Sequence, residues 1–328
     1  MKKTLLSVIP VLAFAMVTAQ AAAPALSYEI SGNELIINYT GTLLQSADAV
    51  TWTEVASASS PYQVALSDKK LFFCAKGTES NDITIPLSDK VNLNLIWINP
   101  GTFTMGSPSD ELGRWDDEVQ HQVTLTQNYW LSDCEVTQGL YEAVMGTNPS
   151  CNVSKWYPVE NVSWNDAMEF CQKLTAIEKA AGRLPEGYEY SLPTEAQWEY
   201  ACRAGTKTAL NSGKDLSDSY ECPEMDEVGW YEFNSDGSTH LRDDKQPNIL
   251  GFYDMHGNVN EWCLDLYGDY PDSSVTDPTG SDKGINRVHR GGGWDIFARA
   301  CRSAYRGYDM PDSGYENVGF RLALVPVK

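Results

Sequence analysis

The sequence predicts an α+β fold in which a loop-rich domain over residues 91–328 follows a small all-β module over residues 24–90. Three patterns lead to this prediction. Short runs of alternating apolar and polar residues fill the first ninety positions, two capped helical segments follow, and the part after Gly205 is rich in Gly, Asp, Asn, Pro and aromatic residues. Such a composition is typical of long surface loops on a compact domain.

Residues 1–23 have the pattern of a secretory signal peptide. Lys2 and Lys3 precede an apolar run from Leu5 to Val17, and small residues follow up to Ala23. We therefore expect the mature chain to be periplasmic or secreted. No later stretch approaches the ~20 apolar residues that span a bilayer, so no membrane span is expected after cleavage.

The module over residues 24–90 alternates apolar and polar residues in short segments such as 35–39 and 70–74. Gly, Ser, Pro and Asp separate these segments, which is the pattern of short strands joined by turns. We predict a small β-sheet module with an accessory or attachment role.

The larger domain begins with predicted strands. The segment from Val91 to Met105 indicates two strands interrupted at Pro100 and Gly101, and Val123 to Leu131 is another alternating run. We expect these strands to form the start of the main sheet.

Two helices are predicted between residues 163 and 205. The first extends over about 165–180, and the second is a short helix that ends at Gly205. Each is preceded by a Ser/Thr-x-x-acidic or Ser/Thr-x-x-Gln capping box, formed by Ser163 with Asp166 and by Thr194 with Gln197.

Composition excludes some function classes. The 45 acidic and 24 basic residues give a net charge of −21, which repels phosphate backbones, so nucleic acid is not an expected partner. Eight cysteines in an exported chain suggest disulfides, whereas the four histidines show no spacing suited to zinc.

Residues 251–262 form a candidate calcium loop. Asp254 and Glu261 are hard carboxylate ligands, and the turn at Gly257 and Asn258 between them can direct backbone carbonyls to the same point. The alternative is a pair of solvated carboxylates at a turn. A second motif, residues 287–294, carries three glycines at 291–293 that allow close approach of another segment.

These two motifs occur in order with residues 100–107, 117–118, 135–137, 158–164, 192–205 and 317–321. The ordered set resembles the formylglycine-generating enzyme family, also called sulfatase-modifying factors, over about residues 91–326. The resemblance implies an irregular fold related to that of C-type lectins and structural calcium. Matched position by position, it implies that the calcium ligands are Asp254, the carbonyls of Gly257 and Val259, and Glu261.

The resemblance also raises the question of activity. The family's enzyme oxidises a sulfatase cysteine to formylglycine with oxygen and a copper(I) ion, which two cysteines in a Cys-x4-Cys arrangement hold after the glycine run. Here Cys301 is the only thiol in that region, and Ile296 stands where the first ligand is expected. Copper is therefore not expected. We predict a non-oxidising binding or accessory protein; the alternative is an active formylglycine-generating oxidoreductase that uses Cys301 with another ligand.

Cys301 has two further interpretations. Arg299 and Arg302 would lower the pKa of its thiol and make it a reactive, catalytic group. Alternatively it is half of a disulfide, and the resemblance implies Cys202 as its partner.

Ligand-binding residues are predicted around the same segment. Arg302 and Arg306 are candidates for binding a carboxylate or sulfate, and Trp294 for forming a wall against a sugar or peptide. The alternatives are ion pairs with Asp295, Asp309 or Asp312, and burial of the ring in the core. A peptide, a protein or a glycan is the expected ligand class. A surface scaffold attached through its β module is a third interpretation.

Overall fold

The structure, a computed structural model, describes residues 26–31, 34–39, 42–46, 53–55, 60, 62–65, 72–76, 81–88 and 91–327. The predicted signal peptide lies outside these residues. The chain divides into two compact units, the first ending at Asn81 and the second beginning at Asp82.

The first unit is built from strands alone in its described part. Two antiparallel sheets of three strands have the orders β1-β2-β5 and β4-β3-β6. The strands are β1 Leu26–Ser31, β2 Glu34–Tyr39, β3 Thr42–Ser46, β4 Thr53–Glu54, β5 Tyr62–Ala65 and β6 Phe72–Lys76. Ile37 and Leu43, one from each sheet, are each 1% exposed, as the alternating pattern requires. The predicted small all-β module is confirmed.

The second unit combines three sheets with three α-helices. A five-stranded sheet has the order β12-β18-β11-β8-β7, a three-stranded sheet β14-β10-β9, and a four-stranded sheet β16-β15-β13-β17. The elements are β7 Ile83–Ser88, β8 Val91–Ile98, β9 Gly101–Met105, β10 His121–Leu125, β11 Tyr129–Ser132, α1 Gln138–Met145, α2 Trp164–Ala180, β12 Tyr188–Ser191, α3 Glu195–Arg203, β13 Asn260–Leu266, β14 Val275–Thr276, β15 Arg287–Arg290, β16 Gly307–Asp309, β17 Val318–Gly319 and β18 Ala323–Pro326. Short 3-10 helices occur at Met225–Glu227 and Ala298–Ala300. The predicted α+β, loop-rich class is confirmed.

The boundary between the units differs from the one expected at residue 90. Strand β7 pairs antiparallel with β8, so that Ile85 lies opposite Leu93 and both are 3% exposed. This pairing joins residues 83–88 to the main sheet. The division therefore falls between Asn81 and Asp82.

The helices begin where the capping boxes predict. The Ser163 side chain accepts from the Asp166 amide, and Thr194 accepts from the Gln197 amide. Helix α2 buries one face, including Phe170 and Leu174, in the main core. In the described part of the chain, no helix is both long and apolar enough to cross a membrane.

Helix α3 positions the site region. Its buried Trp198 packs in a second core cluster with Met255 and Val288, which lie beside β13 and on β15. The long segment between α3 and β13 contains turns and a 3-10 helix, as its composition predicts. Strand β13 carries Glu261 near its beginning and Asp265 near its end.

Candidate functional site

The two glycine-containing motifs lie side by side. The Gly257 amide donates to the Gly291 carbonyl at 2.7 Å, and the Trp294 amide donates to the Asn258 carbonyl at 2.9 Å. Gly257 has φ +91°, and a Cβ there would lie 2.0 Å from the Trp230 carbonyl oxygen. Only glycine fits this position, which explains the residue type at the centre of the loop.

The carboxylate of Glu261 is held by buried partners. Arg321 donates to it through Nε at 2.5 Å and Nη2 at 2.7 Å, and the indole of Trp198 donates at 2.6 Å. All three residues are 0% exposed. This network fixes the start of β13 against β17 and α3.

Two more carboxyl groups are buried in the same region. Glu135 receives long contacts of 3.4 Å from the Val259 amide and from Asn258 Nδ2, and Asp254 accepts from the Asp243 amide at 3.1 Å. Burial raises the pKa of Glu135 well above its ordinary value, and repulsion from Asp254 and Glu261 adds to this effect. Burial likewise raises the pKa of Asp254 to about 7.

Glu135 was not predicted as a site residue. It belongs to the short motif at residues 135–137, which is part of the family resemblance. That motif does not have the spacing of metal ligands, so it did not indicate a site. The structure brings it to the loop of Asp254 from a distance of more than a hundred positions along the chain.

The loop can be tested for its fit to calcium. Asp254 Oδ1 is buried and has no hydrogen-bond partner, and Asp254 adopts φ +54°. Three buried carboxyl groups surround one guanidinium, so the fully ionised cluster has a charge of about −2, which one Ca²⁺ would balance. Within the described residues no group of three His, Cys, Asp or Glu side chains forms a metal site, but the predicted set uses two carboxylates and two backbone carbonyls.

Cys301 lies against the glycine run. A Cβ on Gly292 would be only 2.6 Å from Cys301 Sγ and 2.6 Å from the Ala300 carbonyl oxygen, so the glycines admit this segment. Cys301 is 0% exposed, and burial raises the pKa of its thiol far above the ordinary value. The lowered pKa that Arg299 and Arg302 were expected to produce does not occur, because desolvation, together with the charge of Asp295, outweighs the charge of Arg302.

The expected Cys202–Cys301 disulfide is not present. Both residues are free thiols, as are the other five cysteines whose side chains the structure describes. Cys202 Sγ instead lies 3.6 Å from Ser303 Oγ and 3.8 Å from His256 Nε2, and His256 Nδ1 donates to the Cys301 carbonyl at 2.7 Å. The imidazole therefore links the two cysteine segments.

Arg302 is not available to a ligand, which corrects the sequence-based expectation. Its five hydrogen bonds go to Glu111, Glu118 and backbone carbonyls, at distances from 2.5 to 3.0 Å, and the residue is 0% exposed. The five N–H donors of a guanidinium are thus all used. The partners are these two glutamates rather than Asp295, Asp309 or Asp312.

Arg306 is also held internally. It donates to both oxygens of Glu195, at 2.7 and 2.9 Å, and to the Gly268 carbonyl at 3.0 Å. Glu195 in turn keeps a lowered pKa: burial would raise it, but Arg306 and Arg290 outweigh that effect. Arg306 therefore stabilises a buried ion pair rather than presenting a free cation.

Trp294 is half-buried and fixed at both ends. Its indole donates to the Glu316 carbonyl at 3.0 Å, and its own carbonyl accepts from Ser235 Oγ at 2.8 Å. It lies at the edge of the glycine run, as the sequence suggests.

A stripe of exposed aromatic rings runs over the Cys301 segment. The rings of Phe233 and Phe297 are 6.1 Å apart and those of Phe297 and Tyr220 4.9 Å, and Arg299 then lies between Tyr220 and Trp115 at 5.3 and 5.6 Å. The four aromatic residues are between 38% and 48% exposed. We call these four residues and Arg299 the aromatic stripe. The sequence did not indicate it, because its members come from four separate loops.

The fold and this loop arrangement define an α+β, loop-rich domain of the formylglycine-generating-enzyme type. The family described as "Sulfatase-modifying factor enzyme 1-like domain" matches residues 86–325. Because the match covers most of the chain, the protein belongs to this family.

Individual comparisons agree with this assignment. "Chaperone protein LppX" of Paenibacillus barcinonensis is 30% identical over 242 residues, covering 58% of this chain and 80% of the relative. The formylglycine-generating enzyme of Streptomyces coelicolor is 35% identical over 179 residues, covering 51% of this chain and 52% of the enzyme. This chain thus spans about half the length of that enzyme. Among solved structures, Treponema denticola variable protein 1 is similar with a TM-score of 0.67 and 31% identity, covering 75% of this chain and 99% of that one.

Proposed function

We propose that this protein is an exported, calcium-stabilised member of the sulfatase-modifying-factor family that binds a partner polypeptide and does not oxidise it. The observation that carries the proposal is the position of Cys301, a fully buried thiol packed against Gly292. A copper(I) centre of the family's kind needs two thiolates, and Ile296 replaces the first. The thiolate of Cys301 is itself disfavoured by burial.

The aromatic stripe supports the binding part of the proposal. Aromatic rings and arginine are the residue types enriched in the cores of protein interfaces. The backbone under the stripe is fixed, since the Ala298 and Arg299 amides donate to the Tyr220 and Ser219 carbonyls at 3.2 and 3.0 Å. A preorganised surface loses little conformational entropy on binding.

The type of occupant is a polypeptide. One relative, at 30% identity, is named a chaperone protein, and a stripe of four rings around one cation suits an extended segment with apolar or aromatic side chains. A glycan would instead need polar groups along the stripe that bind its hydroxyl groups. Binding confined to a glycan array would therefore indicate a different ligand class.

In this proposal, calcium stabilises the conformation of the loop from Asp254 to Glu261. Asp254 Oδ1 is the unpartnered buried oxygen, and the Gly257 and Val259 carbonyls with Glu261 complete the set implied by the family. Calcium would add a cation to a cluster with excess negative charge, which stabilises the ionised carboxylates. Export rests on the pattern of residues 1–23, and a calcium-rich extracellular or periplasmic environment would keep the loop loaded.

A copper(I) titration tests the loss of oxidation. We expect wild type and Cys301→Ser to compete equally weakly for copper(I) against a chelating indicator, because neither offers two thiolates on the surface. Stoichiometric, tight binding that Cys301→Ser abolishes would favour the alternative, an active formylglycine-generating oxidoreductase.

A further inference from the structure

A cavity of about 460 Å³ lies beyond the other end of β13, away from both the calcium loop and Cys301. Its walls come from the first turn of α3, the end of β9 and the loop that follows β13. Glu261 and Asp265 mark the two ends of β13, about 13 Å apart along an extended strand. The volume is in the range of small-molecule sites, about 300–1,000 Å³.

The floor of the cavity is a rigid, neutral network. Glu195 binds Arg306 through both oxygens, and the Tyr270 hydroxyl donates to the same carboxylate at 3.0 Å. The nearby guanidinium of Arg287 lies 3.8 Å from the Trp164 ring and donates to the Leu264 carbonyl. Arg306 is thus paired with Glu195, whereas the Nε of Arg287 has no hydrogen-bond partner among the described residues.

Two buried acceptors that line the cavity have an unused atom. Asp265, 2% exposed, accepts from the Glu195 amide through Oδ2 at 2.8 Å, and its Oδ1 has no hydrogen-bond partner among the described residues. His121, 8% exposed, lies with Nδ1 3.0 Å from the Val119 carbonyl, which can only accept. Nδ1 therefore carries a proton, and in the neutral imidazole Nε2 is an acceptor.

The rim of the cavity carries additional negative charge. Asp269 and Asp282 are exposed on the loop at the mouth of the cavity. Burial, followed by repulsion from Glu195, raises the pKa of Asp265 to about 7, although the charges of Arg306 and Arg287 act in the opposite direction. A ligand that donates hydrogen bonds and carries positive charge would satisfy the unused acceptors.

We propose that this cavity binds an organic cation, a primary ammonium or guanidinium group, with Asp265 as its buried counter-ion and His121 as a second acceptor. The cation comes either from a basic side chain of a polypeptide or from a free amine. This site does not depend on the fate of the family's oxidation chemistry, since its two proposed ligands, Asp265 and His121, do not belong to the Cys301 segment.

Calorimetric titration in phosphate buffer with arginine amide tests the proposal, and citrulline amide is the neutral probe of similar shape; both probes are acetylated at the α-amino group, so that the guanidinium is the charged group that distinguishes them. Wild type is expected to bind arginine amide at least tenfold more tightly than citrulline amide. The Asp265→Asn variant should lose at least tenfold in affinity for arginine amide, whereas the exposed Asp312→Asn should bind as wild type does. Equal binding of the two probes, no binding of arginine amide, or unchanged binding by a folded Asp265→Asn would overturn the proposal.

A second variant guards against misfolding. Thr279 is exposed on the cavity wall, and Thr279→Trp should block the cavity without touching the buried network. Loss of arginine amide binding in this variant supports the site, and retained binding contradicts it. Titrations with spermidine and with a short arginine-containing peptide then distinguish the two sources of the cation, the tighter probe indicating the source.

Discussion

Glu261 and Arg321 form a bidentate ion pair, at 2.5 and 2.7 Å, in which both side chains are 0% exposed. The pair joins the strand that follows the candidate calcium loop to the segment after β17, and Trp198 of α3 donates to the same carboxylate. Around it lie Glu135 and Asp254, so a single guanidinium balances part of a larger negative charge. The buried ion pair and the carboxyl groups around it therefore hold the loop from Asp254 to Glu261 in place.

Removing the guanidinium should destabilise the protein strongly. Arg321→Met leaves three buried carboxyl groups without their cation, and breaking such a pair costs about 3–5 kcal/mol in the free energy of unfolding. Lys173→Ala removes the exposed pair with Glu169, at 2.8 Å, and should cost about 0.5 kcal/mol or less. Urea denaturation at one fixed calcium concentration measures both. A loss below about 1 kcal/mol for Arg321→Met would contradict the role of the pair.

Chelation of calcium should lower the melting temperature. Calcium at about ten times its dissociation constant adds about 1.4 kcal/mol, equivalent to roughly 3–5 °C for a domain of this size. Asp254→Asn should melt at the same temperature with and without chelator, because it weakens the site. Asp312→Asn, an exposed carboxylate elsewhere, should keep the wild-type response. An unchanged wild-type melting temperature after chelation would count against the calcium site.

Asp265 should make stability depend on pH. Burial and Glu195 raise its pKa from 3.8 to about 7, so between these values the folded protein keeps a proton that the unfolded chain has released. The stability contributed by this group therefore falls as pH rises from about 4 to about 7, by roughly 4 kcal/mol in total. In amine-free buffer, Asp265→Asn should gain stability relative to wild type from pH 5 to pH 8. Parallel pH profiles of the two proteins would show that the carboxyl is not perturbed in this way.

The aromatic stripe should carry polypeptide binding. On a peptide array, we expect wild type to bind a subset of peptides and Trp115→Ala and Phe297→Ala each to lose about tenfold or more, which corresponds to about 1.4 kcal/mol. Ile285→Ala removes an apolar side chain that is 67% exposed outside the stripe and should have no effect. Binding that is confined to a glycan array, or peptide binding unaffected by both stripe variants, would contradict the assigned ligand class.

Local patterns in the sequence predicted much of the fold. The capping boxes at Ser163 and Thr194 predicted where α2 and α3 begin, because the bond from the N3 amide to the capping side chain is a local interaction. Helix α1, residues 138–145, was not predicted; it is short, with a Thr137 cap but no capping box. Strand β7 was assigned to the first unit, because no local pattern shows its pairing with β8.

The site was predictable only in part. The glycines at 291–293 predicted the close approach of another segment, and the structure identifies Cys301 as the neighbour of Gly292. Gly257 was predicted only as part of a turn, and its contact with Trp230 was not foreseen. Arg302 and Arg306 were predicted to bind a ligand or to pair with nearby aspartates, whereas their partners Glu111, Glu118 and Glu195 lie more than a hundred positions away along the chain. Residue spacing in the sequence does not predict contacts between positions so far apart. The cavity of Asp265 and the aromatic stripe were missed for the same reason.

The most direct test of the account is a peptide-conversion assay. The purified protein is incubated with copper(I), oxygen, calcium and a peptide that carries the sulfatase cysteine motif, and the product is analysed by mass spectrometry. The account predicts that the cysteine stays unconverted, with the same result for Cys301→Ser. Conversion of the cysteine to the formylglycine aldehyde by wild type, and its loss in Cys301→Ser, would contradict the central claim that this family member binds without oxidising.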